Sequence, residues 1–366
     1  MDTVRILQIV PNMHSAGIEN LLMNLYRNLD RDKMQFDFLV HYKQRFDFDD
    51  EIESLGGRIY RLSFREDKNL IRYIKELKKF FKEHGEYKVI HGHMPSLAII
   101  YLGIARSQKV PVRIIHSHNA FRTSNLKGFV KHFLIKLSKY NATHLYACSM
   151  KAGEYQYGKS SFQVMHNAID AKKFEFSPEK RARARQMLEV QDKLVIGHIG
   201  RFTKQKNHDF LLEIFKAVRE KNNNAVLVLA GTGELEKQVK EKVNESGMEN
   251  EVLMLGVRND TELLYQGFDV FCLPSYHEGL PVVGIEAQAA GLFFLASDQI
   301  TKEMKITKNV KFLPINDPKL WANEIVKRGS SYIRKSTYRE IKKYGYDIKE
   351  QARLVLKDYM QLYEIQ

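Results

Sequence analysis

The chain has 366 residues, more than one hydrophobic core usually organises, and at roughly 100 to 200 residues per domain this predicts two domains. Apolar residues make up 44% and charged residues 28%, with only 21 Gly and 8 Pro, which excludes collagen-like, low-complexity and disordered chains. Lys and Arg number 58 against 44 Asp and Glu, and the net charge of +14 favours polyanionic or anionic-surface partners.

The opening MDTVRILQIVPN is too short and too soon interrupted to be a secretory h-region, and no window approaches 18 uninterrupted apolar residues. Cys148 and Cys272 each stand in an apolar run, which suits reduced core thiols rather than a disulfide. A cytoplasmic chain is the expectation.

In chain order, short β-branched runs alternate with longer amphipathic stretches. VRILQIV is followed by a helix over 19–29, FDFLVH by one over 50–55, RIYRL by one over 70–83, YKVIHGH by one over 96–107, and then VRIIHSH. Two more short strands fall near 143–150 and 162–164, after which VMHNAIDAKKFEFSPEKRARARQ interrupts the pattern. A second series follows: KLVIGHIGRF, a helix over 208–221, AVLVLAG, a helix over 235–245, EVLMLG, a helix over 261–266, VFCLPS, a helix over 281–290, FFLAS and KFLPI, with closing helices over 338–366. Strands alternating with helices argue for βαβ units and parallel sheets. Two such sheets in tandem put their strands' carboxyl ends at a shared cleft, where open α/β sheets bind ligands.

The most informative segment is LPSYHEGLPVVGIEAQAAG, residues 273–291. A strand ends near Pro274, Pro281 suits a first helical position, and Gly291 suits the helix end. Amides around Gly279 and Leu280 lie at the positive end of that helix and suit a phosphate. Glu278 and Glu286 bracket that position and could accept hydrogen bonds from the hydroxyls of a polyol. Taken alone, the segment is also compatible with a capped surface helix bearing two unrelated glutamates. Upstream, HIGRFTKQKNHDF sets Arg201 and Lys206 between a strand and a helix, where fork and point charge could hold a diphosphate.

Together with LAGTGELE and LGVRND, these motifs resemble those of the retaining nucleotide-sugar glycosyltransferases of family 4, which have the GT-B fold. Gly200-Arg-Phe with Lys206 is similar to the family's G-R-x...K element, Gly231-Thr-Gly233 to its G-x-G turn, and Glu278 to Glu286 to its E-x7-E signature. Ser15-Ala-Gly17-Ile-Glu19 occupies the place of its glycine-containing first loop, so the resemblance covers nearly the whole chain. It implies an α/β fold of two Rossmann-like domains facing across a cleft, residues 1–172 completed by 350–366 and residues 173–349, with C-terminal helices crossing back. The first would take the acceptor and the second the donor. The resemblance further implies that Arg201 and Lys206 bind the donor diphosphate, Glu286 the ribose and Glu278 the sugar hydroxyls. Gly17, Gly231, Gly233, Pro281 and the amides of Gly279, Leu280 and Val282 would complete the donor site, with the base gripped near Val257 and Arg258. Glu278 reads as a sugar-positioning group rather than a nucleophile. The segment after Gly291, FFLASDQITKEMKI, departs from the family's proline-valine opening and lacks its glycine-rich turn, which leaves the donor sugar open.

In the first half, His91 and His93 in VIHGHMP and His116 and His118 in IIHSHNA alternate on strand ends. Four imidazoles could suggest zinc, but no Cys or carboxylate arrangement completes a site, and the expectation is an enzyme without a metal or cofactor. The resemblance assigns His118 to the cleft beside the transferred sugar, so His118 and Glu278 are the expected catalytic pair. Asp47-Phe-Asp49 imitates a D-x-D metal motif, yet FDFDDEIESLGG reads better as an acidic helix start. GTGELE lacks the third small residue of a dinucleotide fingerprint, which argues against an NAD enzyme.

Residues 1–170 carry 26 Lys plus Arg against 17 Asp plus Glu, so most of the basic surplus lies in the first half. It concentrates at Arg72, Lys75, Lys78, Lys79 and Lys82, and at Arg122, Lys127, Lys131, Lys136 and Lys139, the latter interleaved with Phe121, Phe129, Phe133 and Leu134. Basic residues beside apolar ones suit an anionic bilayer surface. The first cluster also reads as a solvated helix face. No nucleic-acid module is evident. The resulting expectation is a retaining transferase moving a sugar from a nucleoside-diphosphate sugar, UDP-linked by preference, to a glycan or lipid-linked acceptor of capsule or exopolysaccharide synthesis at the inner membrane face. The alternatives are a catalytically silent scaffold of the same fold or a nucleotide-sugar epimerase. The oligomeric state is not legible.

Overall fold

The computed structural model describes residues 3–14, 17–118, 133–329 and 332–365. It divides the chain into two compact units, Met1–Ala168 with Ile348–Gln366, and Ile169–Asp347. The first break falls slightly ahead of 172/173 because Ile169 already belongs to the second unit. Its amide donates to the Tyr346 carbonyl at 3.0 Å, and the helix Ala171–Phe174 packs on the helices Thr261–Gly267 and Val282–Ala289.

The first unit is a seven-stranded sheet of β1 (Val4–Ile9), β2 (Met34–Val40), β3 (Ile59–Arg61), β4 (Val89–Gly92), β5 (Val112–Ser117), β6 (His144–Ala147) and β7 (Gln163–Val164). The order is β3-β2-β1-β4-β5-β6-β7, and every pairing is parallel. Side chains alternate between faces along each strand. Ile6, Phe36, Val89 and Ile114 therefore enter one core and Leu7, Ile9, Ile90 and Ile115 the other. The first core includes buried residues of the helices Gly17–Asn28 and Ile348–Glu364, the second those of Leu70–Glu83 and Ala98–Ser107.

The second unit is a six-stranded sheet of β8 (Leu194–Ile199), β9 (Ala225–Ala230), β10 (Val252–Met254), β11 (Val270–Leu273), β12 (Phe293–Ser297) and β13 (Val310–Leu313), ordered β10-β9-β8-β11-β12-β13 and parallel throughout. Every residue of β8, β9, β11 and β12 is buried, as sheets covered on both faces require, hence the unbroken apolar runs. In both sheets the direction of strand addition reverses beside the first strand, between β1 and β4 and between β8 and β11. The loops leaving the carboxyl ends of those pairs are where a doubly wound sheet leaves room for a ligand.

Two helices lie where the sequence suggests interruption or loop. Pro178–Met187 is capped by Ser177, whose side chain accepts from the Lys180 amide, but its inward face carries Arg185 rather than an aliphatic residue, and this hides the period. That buried guanidinium donates to the Gly267 and Gln191 carbonyls and to Asp269. Pro318–Gly329 buries Trp321, Ala322 and Ile325. Of the closing helices, only Ile348–Glu364 returns to the first unit, inserting Ile348, Ala352, Val355 and Tyr359; Tyr338–Lys343 packs on Val282–Ala289. No helix among the described residues is long and apolar enough to cross a membrane. Cys148 and Cys272 are buried and form no disulfide among the described residues.

Candidate active site

The switch between β8 and β11 is framed by three loops that hydrogen-bond to one another. The loop leaving β8 is zipped to the one leaving β9: Gly200 N–H donates to Ala230 O (2.9 Å), Phe202 N–H to Thr232 O (3.0 Å) and Leu235 N–H to Phe202 O (3.0 Å). This approach requires the glycines. A Cβ on Gly231, whose φ is +135°, would lie 2.1 Å from the Gly200 carbonyl oxygen, and one on Gly233 would lie 2.5 Å from that of Phe202. Gly231 N–H reaches Gly256 O at 2.7 Å, tying in the loop after β10.

The β11 loop joins the same scaffold. Tyr276 N–H donates to Gln205 O (2.9 Å), Asn207 Nδ2 to Pro274 O (3.2 Å) and Gln205 Nε2 to His277 O (2.8 Å). Asn207 takes the left-handed conformation at the head of the helix His208–Arg219. At the centre, Lys206 Nζ meets Glu278 Oε1 at 2.7 Å, and Gln205 Nε2 lies 3.2 Å from Glu278 Oε2. Both charged side chains are mostly buried. Arg201 is exposed and forms no ion pair among the described residues.

The helix after this loop begins at Val282, so Pro281 stands just before it rather than in its first helical position; no side chain caps the helix. Its leading amides therefore have no side-chain acceptor. Leu280 and Pro281 are buried, and Gly291 closes the helix at φ +69°. Glu286, one turn in, accepts from the Tyr265 hydroxyl at 2.9 Å. Burial pushes its carboxyl up to about 7, against the opposing pull of that hydrogen bond. No hydrogen bond or ion pair among the described residues joins Glu286 to the Lys206–Glu278 pair. Val257 is 68% exposed after β10, while Arg258 is held by Asp260 through Nε–Oδ1 at 2.8 Å and a second contact at 2.6 Å. Gln205, Asn207 and Tyr265 support this site, and no motif singled them out.

In the first unit, the histidines at the ends of β4 and β5 form a block of four imidazoles. His91 pairs with His116, Nε2 to Nδ1 at 3.2 Å, and His93 with His118, Nδ1 to Nε2 at 3.0 Å. The two pairs stack, with centroids 4.3 Å apart for His91 and His93 and 4.0 Å for His116 and His118. Burial lowers all four below the ordinary histidine range, His118 to about 3, so the rings are neutral. One nitrogen each of His91, His93 and His116 lies within 4.8 Å of the others, a spacing compatible with a metal ion. In this arrangement, however, the rings bond to one another.

The other sequence candidates have structural partners. Asp49 opens the helix Asp49–Ser54, is buried, and pairs with Arg61 at 2.6 Å, while Asp47 pairs with exposed His14 at 2.7 Å. Gly17 heads its helix with nothing within 4 Å of where a Cβ would stand, and Ser15 lies outside the described residues. Phe121, Arg122, Lys127, Phe129 and Lys131 also lie outside them. Beyond that stretch Phe133 is 56% exposed, and Lys139 is tied to Ser160 Oγ (3.0 Å) and Tyr157 O (3.2 Å). On the helix Leu70–Glu83, Arg72 is engaged by Glu76, and the exposed Ile71 precedes it.

Comparison with known proteins agrees with this geometry. Residues 15–173 match the model of Glycosyltransferase Family 4, and residues 179–347 that of Glycosyl transferases group 1. A putative glycosyltransferase EpsF of Bacillus subtilis is 33% identical over 97% of this chain and 96% of its own. The chain belongs to glycosyltransferase family 4. This glycosyltransferase is also 24% identical to the capsular polysaccharide biosynthesis glycosyltransferase CapH of Staphylococcus aureus, over 88% of this chain and 90% of that one. Among solved structures, a glycosyltransferase from Rickettsia africae superposes with a TM-score of 0.80 at 16% identity, covering 100% of both chains. Anabaena HepE in complex with UDP superposes with a TM-score of 0.73 at 17% identity, covering 97% of this chain and 95% of that one. The fold is that of the two-Rossmann glycosyltransferases, as expected.

Proposed function

We propose that this glycosyltransferase moves a sugar from a UDP-sugar to a glycan or lipid-linked acceptor in cell-surface polysaccharide synthesis, with retention and without a metal. The observation that carries the donor reading is the uncapped start of the helix Val282–Ala289 beside Lys206, Glu278 and exposed Arg201, at the β8/β11 switch. Departure of a nucleoside diphosphate builds negative charge on its leaving oxygen. Arg201, Lys206 and the amides of Gly279, Leu280 and Val282 would stabilise that charge, and they need no reorganisation if preset. Glu286, oriented by Tyr265, is proposed to take the ribose hydroxyls, Glu278 the sugar hydroxyls, and exposed Val257 beside Arg258 the base. His118 is proposed to act beside the transferred sugar.

HepE, a structural neighbour, has been crystallised with UDP and with UDP-glucose, and EpsF and CapH are relatives of this chain by sequence; these names support a UDP donor and a polysaccharide acceptor for this chain. The basic first half together with exposed Leu70, Ile71 and Phe133 supports a membrane-surface location at the inner face as part of this reading. Thermal shift against a panel of nucleoside diphosphates, followed by nucleotide-sugar hydrolysis, tests the donor assignment: UDP should raise the melting temperature most, and a panel without effect would remove it. Flotation with anionic vesicles at low salt tests the location, which an absence of binding would refute.

A further inference from the structure

Resting on the reading of His118 as a group beside the transferred sugar, we propose that His93, oriented by Gln8, is a positioning residue that holds His118 with Nε2 protonated and its Nδ1 lone pair free to accept a substrate hydroxyl. Residues Gln8 on β1, His93 after β4 and His118 after β5 come from three neighbouring strands at the β1/β4 switch. His93 Nε2 lies 2.9 Å from Gln8 Oε1, and His93 Nδ1 lies 3.0 Å from His118 Nε2.

The direction of this chain follows from what each atom can do. A carboxamide oxygen only accepts, so His93 must carry its proton on Nε2. A neutral imidazole has one N–H, so His93 Nδ1 is bare and accepts from His118 Nε2–H. His118 Nδ1 then holds a lone pair, and that nitrogen is buried with no hydrogen-bond partner among the described residues. The Gln8 amide presents its oxygen to His93, while its nitrogen has no hydrogen-bond partner among the described residues.

The second layer of the block makes the arrangement rigid. Tyr359, on the C-terminal helix, hydrogen-bonds His91 Nδ1, and His91 Nε2 faces His116 Nδ1. His116 stacks under His118 with ring planes 21° apart. Zinc is the competing occupant of these nitrogens, since His91, His93 and His116 lie close enough together to hold it.

The test begins with the wild-type full chain labelled with ¹⁵N-histidine, whose ring shifts and couplings report the tautomer directly. The expected result is His118 protonated on Nε2 and bare on Nδ1 at neutral pH; a proton on Nδ1, or ring signals moved by stoichiometric zinc, overturns the proposal. Turnover of a UDP-sugar in variants supplies the second measurement. His93→Leu should lower kcat by up to about 10⁴-fold with donor KM little changed, as the wrong tautomer does in a catalytic triad. His93→Gln, which can still donate to Gln8 and accept from His118, should restore most of it. Equal losses in both variants would refute the positioning role. His118→Ala is read separately: unimpaired turnover there would discard the reading of His118, while the ring shifts would still decide its tautomer.

Discussion

Lys206 Nζ lies 2.7 Å from Glu278 Oε1, so the cation proposed for the donor diphosphate and the carboxylate proposed for the donor sugar neutralise each other before any donor arrives. Their side chains are only 14% and 10% exposed, which makes the pair more than a surface contact. Removing one partner of such a pair leaves the other charge poorly solvated, at a cost of about 3 kcal/mol. Lys206→Met should therefore destabilise the fold clearly, and adding Glu278→Gln should recover part of the loss. Denaturant unfolding of the single and double variants measures the coupling. In the same series, UDP affinity should fall at least tenfold whenever Lys206 is absent.

In the proposed ribose role, Glu286 should make nucleotide binding depend on pH. Its carboxyl is raised by burial from 4.5 to about 7, so the neutral form is the one the fold prefers. Stability from this group is fully present below about 4.5 and declines as pH rises through about 7. A ribose hydroxyl is better accepted by the carboxylate, so UDP affinity should rise several-fold between pH 6 and pH 8. Calorimetric titration of UDP across that range checks the slope, and Glu286→Gln should flatten it.

Glu286→Ala should abolish turnover while leaving the melting temperature near that of the wild type, because the truncation removes a destabilising buried acid along with the ribose contact. Turnover at wild-type rate would rule out the donor-site assignment.

Gly231→Ala should lower stability by about 2–4 kcal/mol and weaken UDP binding, since the new Cβ meets the Gly200 carbonyl and the backbone must hold φ +135°. Gly85→Ala is the control: nothing lies within 4 Å of its Cβ, and the melting temperature should hardly move. Thermal unfolding of the two proteins in parallel makes the comparison.

Arg334 is a structural cation of the second unit. Its guanidinium donates to the carbonyls of Ala290, Gln266, Phe268 and Tyr265, closing the ends of two helices, and burial lowers its pKa to about 9. Arg334→Met leaves those carbonyls without their donor and should cost about 3 kcal/mol in denaturant unfolding. Arg334 reaches the site only through the Tyr265 backbone carbonyl, not through the hydroxyl that meets Glu286, so UDP affinity of the folded variant should fall by no more than a few-fold, about the size of a neighbour coupling.

Much of the framework is legible in the chain because its causes are local. Buried parallel strands demand unbroken apolar runs, so LVIGHI, AVLVLA and VFCL announce β8, β9 and β11. The glycines at 231 and 233 mark a close backbone approach, which the structure provides. The helix Pro178–Met187 is illegible for the converse reason: its inward face carries Arg185, whose partners Gly267, Gln191 and Asp269 are distant or non-periodic in sequence. Pro281 stands one residue outside the helix rather than within it, a boundary set by where the loop meets Gln205.

By itself, then, the sequence determined the two α/β halves, the parallel strands and the composition of the loops proposed to hold the donor, since these follow from periodicity, turn chemistry and motif spacing. Only the tertiary structure decided which of those groups meet. That Lys206 faces Glu278, that Tyr265 orients Glu286, and that four histidines from two strands become one hydrogen-bonded block depend on strand order and loop closure. Contacts between residues 25 to 268 positions apart, such as His93 with His118 and His91 with Tyr359, leave no periodic trace along the chain.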